Sequence, residues 1–312
     1  MRDRIGVSAQ VTSPATSANV GPGFDSFGLC LAVRDRVAAT ITGRGLRVEI
    51  TGEGADSLPR DESHLVVKSM RATFTQLEVT QPGLSLHCVN VIPQGRGLGS
   101  SAAAIVSGIR LAERLADREL ETGQALDLAS RLEGHPDNVA ACLLGGFTLA
   151  WTEGHRARAL RLDVHDEIRC TVLAPTTTLS TKRARRLLPI EVKHRDASAN
   201  SARAGLLVAA LTQRPDLLLP ATEDRLHQDH RRPAMPQTLA LLDAMREAGV
   251  AAVVSGAGPS ILAFGTASGP VDAARWMRPG WRSMTVAIDS DGAIGARESH
   301  RDQLGPKRAT SL

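Results

Sequence analysis

The chain has 312 residues, of which 42% are apolar, so it can bury one large core or two medium ones. Its formal net charge is only +4, and aromatic residues make up 3% of the chain, so few side chains could stack on bases. Both features argue against a nucleic-acid partner. No apolar run approaches the roughly 18 residues that a bilayer-spanning helix needs, which argues against a membrane partner.

The four cysteines are far apart in the sequence and show neither metal-site nor disulfide-framework spacing. They are Cys30, Cys88, Cys142 and Cys170. Free thiols are typical of a reducing compartment, and the N-terminus lacks an apolar segment of signal-peptide length. We therefore expect a cytoplasmic protein.

Strands and helices are mixed along the chain without strict alternation, which favours an α+β fold over a doubly wound sheet. Strands are predicted over 36–41, 46–50, 83–92, 147–151, 168–174, 250–255, 261–265 and 284–288. Helices are predicted over 61–78, 100–116, 122–133, 181–188, 197–213, 236–248 and near 270–277. The polar tail from about residue 297 is predicted to be disordered.

The helix over 100–116 has the clearest pattern. Small and apolar residues at spacings of three and four form one face: Ala102, Ile105, Ile109, Ala112 and Ala116. A second helix over 122–133 has a similar face and a glycine directly after it, which is a common helix stop.

A glycine-rich stretch, Pro93–Ala104, precedes and opens the first of these helices. Its three glycines allow backbone conformations that a Cβ would block, and two serines follow them. A glycine turn that enters a helix presents free N–H groups and the positive end of the helix dipole to an anion. The stretch has no Gly-Lys-Ser/Thr and no Gly-x-Gly-x-x-Gly pattern. Taken alone, it is either a phosphate-binding loop of an uncommon kind or a tightly packed helix start.

Three other segments carry polar residues suited to chemistry. Pro14–Gly28 is predicted to form a loop after the N-terminal strand. Glu133–Asn138 holds two carboxylates, an imidazole and an amide, and an acid near a phosphate loop can hold Mg²⁺. Val254–Ser260 reads as a strand running into a glycine turn. Taken alone, Pro14–Gly28 and Val254–Ser260 are more typical of ordinary turns, and Glu133–Asn138 could equally be an ordinary helix end.

Two histidines three residues apart, His227 and His230, have a spacing compatible with a metal site. We interpret them instead as part of a solvated helix face. The basic run Arg183, Arg185 and Arg186 is usually solvated as well, although one arginine could face a cleft.

Taken together, Pro14–Phe27, Pro93–Ala104 and Ser255–Ser260 resemble the three motifs of the GHMP kinases, in the same order. Within that superfamily the chain is most similar to the homoserine kinases, on Pro14–Asp25, Glu133–Asn138, Ser180–Pro189 and Leu226–Arg231. The resemblance implies a two-domain α+β fold: an N-terminal ATP-binding domain like domain 2 of ribosomal protein S5 over 1–165, and a ferredoxin-like C-terminal domain over 166–296. The disordered tail would cover 297–312.

The resemblance also implies an activity, the transfer of the ATP γ-phosphate to the side-chain hydroxyl of L-homoserine, which yields O-phospho-L-homoserine in threonine biosynthesis. It implies ATP as co-substrate, Mg²⁺, small-molecule substrates and a homodimer. Two alternatives stay open. One is another GHMP kinase, acting on mevalonate or a sugar, and the other is a catalytically silent ligand-binding member of the fold.

Site residues follow from the resemblance by position. Residues implied to line the amino-acid pocket are Asn19, Asp25, His135, Asp137, Arg185 and Arg231, where the two arginines would bind the substrate carboxylate. Residues implied to bind ATP are Pro93, Gln94, Gly95, Arg96, Gly97, Leu98, Gly99, Ser100, Ser101, Ala102 and Ala103. Residues implied to hold Mg²⁺ are Ser100, Ser101 and Glu133, and the catalytic candidates are Asp25, Glu133 and Asp137.

Two points of this assignment stay open in the sequence. Asp127 is an alternative to Glu133 as the metal-binding acid. His64 occupies a position, before Leu-Val, where homoserine kinases often carry asparagine, and this affects the adenine contact. A strong catalytic base is not required, because in a loose transition state the hydroxyl can lose its proton after phosphoryl transfer is well advanced.

Overall fold

The structure, a computed structural model, describes residues 2–298. Its strands are β1 Ser8–Ala18, β2 Phe27–Thr42, β3 Leu46–Gly52, β4 Gly83–Asn90, β5 Phe147–Glu153, β6 Arg156–Leu162, β7 Ile168–Pro175, β8 Ala251–Val254, β9 Ile261–Thr266, β10 Trp281–Val286 and β11 Ile294–Glu298. Its α-helices are α1 Leu65–Gln76, α2 Ser100–Ala116, α3 Thr122–Glu133, α4 Asp137–Leu144, α5 Thr181–Arg185, α6 His194–Thr212, α7 Leu218–Ala221, α8 Pro236–Glu247 and α9 Ala273–Trp276. The α+β class is confirmed.

The first sheet has seven strands, with β11, β1, β2, β4 and β3 in that order and the β5–β6 hairpin paired to the start of β2. Although β2 and β3 follow one another in sequence, β4 lies between them. Strand β3 pairs parallel to β4, and α1 makes the crossover that a parallel pair requires. Helices α1 and α2 cover this sheet with buried apolar side chains.

The first strand is longer than the sequence suggested. We expected a loop from Pro14, but β1 runs to Ala18 and only residues 19–26 form the loop. The expectation was wrong because proline is tolerated in a strand at an irregularity, and the pairing of β1 with β2 shifts register between Pro14 and Ala15.

The second sheet has four antiparallel strands in the order β10, β7, β9, β8. With helices between β7 and β8 and between β9 and β10, the chain order is β-α-β-β-α-β, the ferredoxin-like arrangement. One hydrophobic core continues from α2, α3 and α4 to this sheet and to α6. The two sheets are therefore packed through shared apolar side chains.

The strongest helix predictions are confirmed to the residue. Helix α2 spans Ser100–Ala116, and its predicted inner face is buried: Ala102, Ile105, Ile109, Ala112 and Ala116. Helix α3 ends at Glu133, and Gly134 follows with φ 96°, a left-handed conformation suited to glycine. The helix near 270–277 is shorter than expected and covers only Ala273–Trp276.

The chain returns to the first sheet at its end. Strand β11 pairs antiparallel with β1, and the sequence did not indicate this strand. The predicted boundary between residues 165 and 166 falls between β6 and β7, which belong to different sheets, and it stays a prediction. Most of the tail that we predicted to be disordered, 297–312, lies outside the described residues; its first two residues belong to β11.

Candidate active site

The glycine stretch forms a tight loop before α2. Gly95, Gly97 and Gly99 have φ of 63°, 72° and 68°, all left-handed, which glycine adopts without strain. A Cβ on Gly97 would collide with the Ser255 carbonyl oxygen, and one on Gly99 with the Thr16 hydroxyl. Helix α2 begins at this loop, with no acidic residue in its first turn and no side-chain cap among the described residues. Its positive end is thus open toward an anion.

The three motifs meet in space. The Ser255 hydroxyl donates to the Gly97 carbonyl oxygen at 2.7 Å and lies 2.9 Å from the Ser17 hydroxyl. In addition, the Gly256 N–H donates to the Ala18 carbonyl oxygen at 3.1 Å. Segments that are far apart in the sequence therefore hold one another's backbones at hydrogen-bond distance.

A cavity of about 260 Å³ opens where these motifs meet. It is lined by Asn19, Gly95, Gly97, Leu98, Gly99, Ser100, Ser101, Glu133, His135, Asp137, Asn138, Leu179, Ser180, Thr181, Arg185, Arg231, Gly256 and Ala257. The phosphate-type loop and most of the predicted amino-acid pocket thus share one space.

Glu133, the last residue of α3, faces the start of α2. The Ser101 hydroxyl donates to Glu133 Oε1 at 2.5 Å. Burial raises the pKa of Glu133, while the Ser101 hydrogen bond and the nearby His135 oppose that shift. The alternative acid, Asp127, instead accepts a hydrogen bond from the Ala157 N–H at 2.6 Å, at the start of β6.

His135 and Asp137 form a close pair at the N-terminus of α4. His135 Nδ1 lies 2.5 Å from Asp137 Oδ1, and the same oxygen accepts from the Asn138 N–H at 2.8 Å. Burial alone lowers the pKa of His135, but the hydrogen bond to Asp137 and its charge raise that pKa above the ordinary value. Asp137 is 1% exposed. The pair therefore offers a fixed donor and acceptor to a bound ligand.

Asn19 and Asp25 stand in the loop after β1, in left-handed conformations with φ of 66° and 55°. Asn19 Nδ2 donates to the Gly256 carbonyl oxygen at 2.7 Å, and its Oδ1 accepts from the Asp25 N–H at 3.0 Å. Asp25 is bound through both oxygens by Arg185, at 2.6 and 3.0 Å. Such backbone strain in non-glycine residues is most common at functional sites.

Arg231 is 1% exposed and lines the same cavity. Its Nη1 donates to the Gly256 carbonyl oxygen at 3.0 Å and to His227 Nδ1 at 3.1 Å, while its buried Nε has no partner among the described residues. Burial lowers the pKa of Arg231 to about 10, so the guanidinium remains charged at neutral pH.

Some residues of the predicted ATP loop direct their side chains elsewhere. Arg96 binds the carbonyl oxygens of Pro175, Thr176 and Gln94 at 2.8–3.1 Å, which ties the loop to the end of β7. Pro93, Ala102 and Ala103 are buried in the packing of the loop and of α2.

A second cavity of about 290 Å³ adjoins the first, since Ser100 and Ser101 line both. Most of its exposed wall is apolar, and the polar residues that line it are Asp35, Ser63, His64, Asn90, Gln94, Ser100, Ser101 and Ser107. His64 is 4% exposed, and its Nδ1 has no hydrogen-bond partner among the described residues. Burial lowers the pKa of His64, so the ring is neutral at pH 7.

Comparison with known proteins agrees with this geometry. The sequence family described as GHMP kinases N terminal domain matches residues 64–146, and the one described as GHMP kinases C terminal matches residues 206–275. A homoserine kinase of Streptomyces avermitilis is 50% identical over 92% of this chain and 95% of its own length. One from Clavibacter michiganensis is 48% identical over 92% and 94%. The chain belongs to the GHMP kinases.

Solved structures give the same result for this GHMP kinase. The crystal structure of a homoserine kinase from Cytophaga hutchinsonii has a TM-score of 0.82 at 29% identity and covers 93% of this chain and 97% of its own. A mevalonate kinase crystal structure has a TM-score of 0.64 at 11% identity, over 90% and 99% of the two chains, which shows the shared fold alone. Among the described residues, no helix has the length and hydropathy needed to cross a bilayer.

The sequence did not indicate every residue that builds the site. Thr16 holds the glycine loop to α4, since its N–H donates to the Leu98 carbonyl oxygen at 3.1 Å and its hydroxyl to Asn138 Oδ1 at 2.8 Å. Our interpretation of His227 as solvated was wrong, because the ring is completely buried and contacts Arg231. Only the position of His227 four residues before Arg231 could have suggested that contact.

Proposed function

We propose that this protein transfers the γ-phosphate of ATP to the side-chain hydroxyl of L-homoserine, which yields O-phospho-L-homoserine and ADP in threonine biosynthesis. The observation that carries the proposal is the meeting, in one cavity, of the glycine loop with a cluster suited to an amino acid. Relatives that are named homoserine kinases and are about half identical over most of the chain support it.

The triphosphate is proposed to lie along the glycine loop and the N-terminus of α2. Backbone N–H groups and the helix dipole there favour negative charge and need no rearrangement on binding. The adenosine is proposed to occupy the adjoining second cavity, where apolar walls suit a base. His64 Nδ1, buried and unpartnered among the described residues, would accept a hydrogen bond from the nucleoside in place of the asparagine expected at this position.

Homoserine is proposed to lie between the loop and Arg231. Arg231 and Arg185 carry the positive charge that a carboxylate requires, and a guanidinium suits a two-oxygen anion. For Arg185 this would mean sharing its guanidinium with Asp25, to which it is bound at 2.6 Å. The Asn19 side chain and the His135–Asp137 pair would bind the amino and hydroxyl groups.

Asp137 and Asp25 are the proposed groups that orient the hydroxyl. Phosphoryl transfer depends mainly on positioning and on charge neutralisation, so a carboxylate that fixes the hydroxyl in line with the phosphorus suffices. Asp137 is held rigidly by His135 and the Asn138 N–H, and this favours it over the more exposed Asp25.

The donor set fits Mg²⁺ as well. Ser101 and Glu133 offer a hydroxyl and a carboxylate oxygen side by side at the loop, and Mg²⁺ typically takes one or two carboxylates with phosphate oxygens. No group of three metal-binding side chains occurs among the described residues, which is compatible with an ion bound mainly through ATP. Bound Mg²⁺ would neutralise charge on the triphosphate. Of the two serines, Ser101 is the one in contact with Glu133.

A homodimer and a cytoplasmic location stay predictions from the sequence.

An assay of ADP release tests the proposal. Purified protein with Mg-ATP should release ADP with L-homoserine and not with mevalonate or galactose. Turnover of mevalonate or galactose instead would support the other small-molecule kinases, and nucleotide binding without turnover of any acceptor would support a catalytically silent protein.

A further inference from the structure

His227 is a fully buried imidazole behind the proposed substrate pocket. Its Nε2 lies 2.8 Å from the Gly21 carbonyl oxygen, and its Nδ1 lies 3.1 Å from Arg231 Nη1. The Phe24 ring stacks on the imidazole, with 5.1 Å between the ring centroids. The ring thus bridges the loop after β1 and the segment that carries Arg231.

The two partners determine the tautomer. A carbonyl oxygen can only accept a hydrogen bond, so Nε2 must carry the proton. A guanidinium can only donate, so Nδ1 must be unprotonated and accept from Arg231. Only the neutral ring with the proton on Nε2 satisfies both contacts.

We propose that His227 is a positioning residue, which uses one donor of Arg231 and thereby turns the remaining guanidinium donors toward the carboxylate of the substrate. This inference rests on the proposed function, in which Arg231 binds that carboxylate. The described hydrogen-bond partners of Arg231, His227 Nδ1 and the Gly256 carbonyl oxygen, are both neutral. The positive charge of Arg231 is therefore left available to an anionic ligand, while its orientation is fixed.

The surroundings keep His227 in this state. Burial, together with the charge of Arg231, lowers the pKa of His227 to about 4, although Asp224 and Asp25 oppose the shift. The Asp224 carboxylate is engaged by the N–H groups of Leu226, His227 and Gln228 at 2.7–3.1 Å, which fixes the backbone that carries the ring. The ring therefore stays neutral, with its acceptor nitrogen available, over the range in which enzymes work.

Two substitutions separate the contacts. The amide oxygen of His227→Asn lies near the position of Nδ1 and can still accept from Arg231. The longer side chain of His227→Gln places its amide near Nε2, so it keeps the Gly21 contact and loses the one to Arg231. The exposed neighbour His230 provides the matched control, His230→Gln.

Steady-state kinetics give the test. We expect His227→Gln to raise KM for L-homoserine about tenfold, the factor for losing one hydrogen bond to a charged group, with KM for ATP nearly unchanged. His227→Asn should stay close to wild type, as should His230→Gln. If His227→Asn and His227→Gln raise KM for homoserine equally, His227 has only a structural role and the proposal is overturned. The same conclusion follows if His227→Gln raises KM for ATP as much as KM for homoserine.

A measurement on the wild-type protein tests the proposal even if the variants do not fold. The ¹⁵N chemical shifts of His227 should show a protonated Nε2 and an unprotonated, hydrogen-bonded Nδ1 at pH 7; a protonated Nδ1 would refute the contact to Arg231. Addition of L-homoserine should perturb the Nδ1 signal, and no perturbation under saturation would refute the coupling to the pocket. If wild-type protein does not bind or phosphorylate homoserine, the proposed function fails, and the tautomer measurement still decides the Arg231 contact.

Discussion

Gly97→Ala tests whether the glycine loop is held by close backbone contact. Gly97 has φ 72°, and a Cβ there would collide with the Ser255 carbonyl oxygen and lie 3.0 Å from both N and O of Gly258. All three contacts are backbone atoms, so no side-chain rotation relieves them. A non-glycine residue in the left-handed region costs about 1 kcal/mol, and loss of the Ser255–Gly97 hydrogen bond about 1 kcal/mol more.

We therefore expect Gly97→Ala to lower the free energy of unfolding by about 2 kcal/mol. With an unfolding entropy of about 2.1 cal/mol/K per residue, this corresponds to a fall in Tm of about 3 °C for a chain of this length. Displacement of the loop should also lower kcat/KM for ATP about 100-fold, the usual cost of misplacing a reacting group by about 1 Å. Differential scanning calorimetry and the ADP-release assay measure the two effects.

Gly154→Ala is the matched control. Gly154, in the turn between β5 and β6, has φ 62°, but a Cβ added there would meet no described atom within 4 Å, so only the conformational strain applies. This variant should lose about 1 kcal/mol of stability and keep full activity. Equal melting temperatures and equal ATP kinetics for the two variants would refute the view that contact with Ser255 holds the loop.

Three further outcomes follow from the site. Glu133→Gln should lower kcat about 100-fold, since an electrostatic group at the phosphates is lost, whereas Asp127→Asn should lower stability and spare kcat; the reverse pattern would assign the metal-binding acid to Asp127. The raised pKa of His135 means that its stabilising contribution is complete below about pH 6.5 and is lost as pH rises through that pKa, so the stability advantage over His135→Gln should shrink as pH rises, as denaturant titrations will show. The buried thiols should react with a thiol reagent only on unfolding, because burial raises the pKa of Cys88 and Cys170 to about 12, and rapid labelling of the native protein would contradict this.

The sequence predicted best those elements whose local pattern and whose packing agree. Helix α2 has a continuous small and apolar face, and α3 has a glycine directly after its end, so both were predicted with correct bounds. Strand β6 was missed because it alternates arginine with small residues and is largely exposed. Strand β11 is five residues long and is defined by its pairing with β1, a contact between the two ends of the chain.

The same distinction applies to the site. The glycine loop could be recognised because its conformational requirement is local, and its three glycines do adopt left-handed backbone. The burial of His227 could not be predicted from the sequence, because it depends on contacts with Gly21 and Phe24, about 200 positions earlier in the sequence. Arg96 was assigned to ATP with its loop, and that assignment stays a prediction. Its side chain binds carbonyl oxygens at the end of β7, a contact that only the tertiary structure creates.

The geometry of the glycine loop depends on both sheets. Arg96 is bound to Pro175 and Thr176, the Leu179 N–H donates to the Gly95 carbonyl oxygen at 2.8 Å, and Ser255 holds Gly97. The loop has no lysine of the P-loop kind, and its arginine is engaged by carbonyl oxygens. In the proposed binding mode, the helix N-terminus and backbone N–H groups would therefore provide most of the protein's attraction for the triphosphate. Such dipoles act only at short range and in fixed directions, so the loop must be held rigidly to bind phosphate in this way. The contacts from the second sheet provide that rigidity.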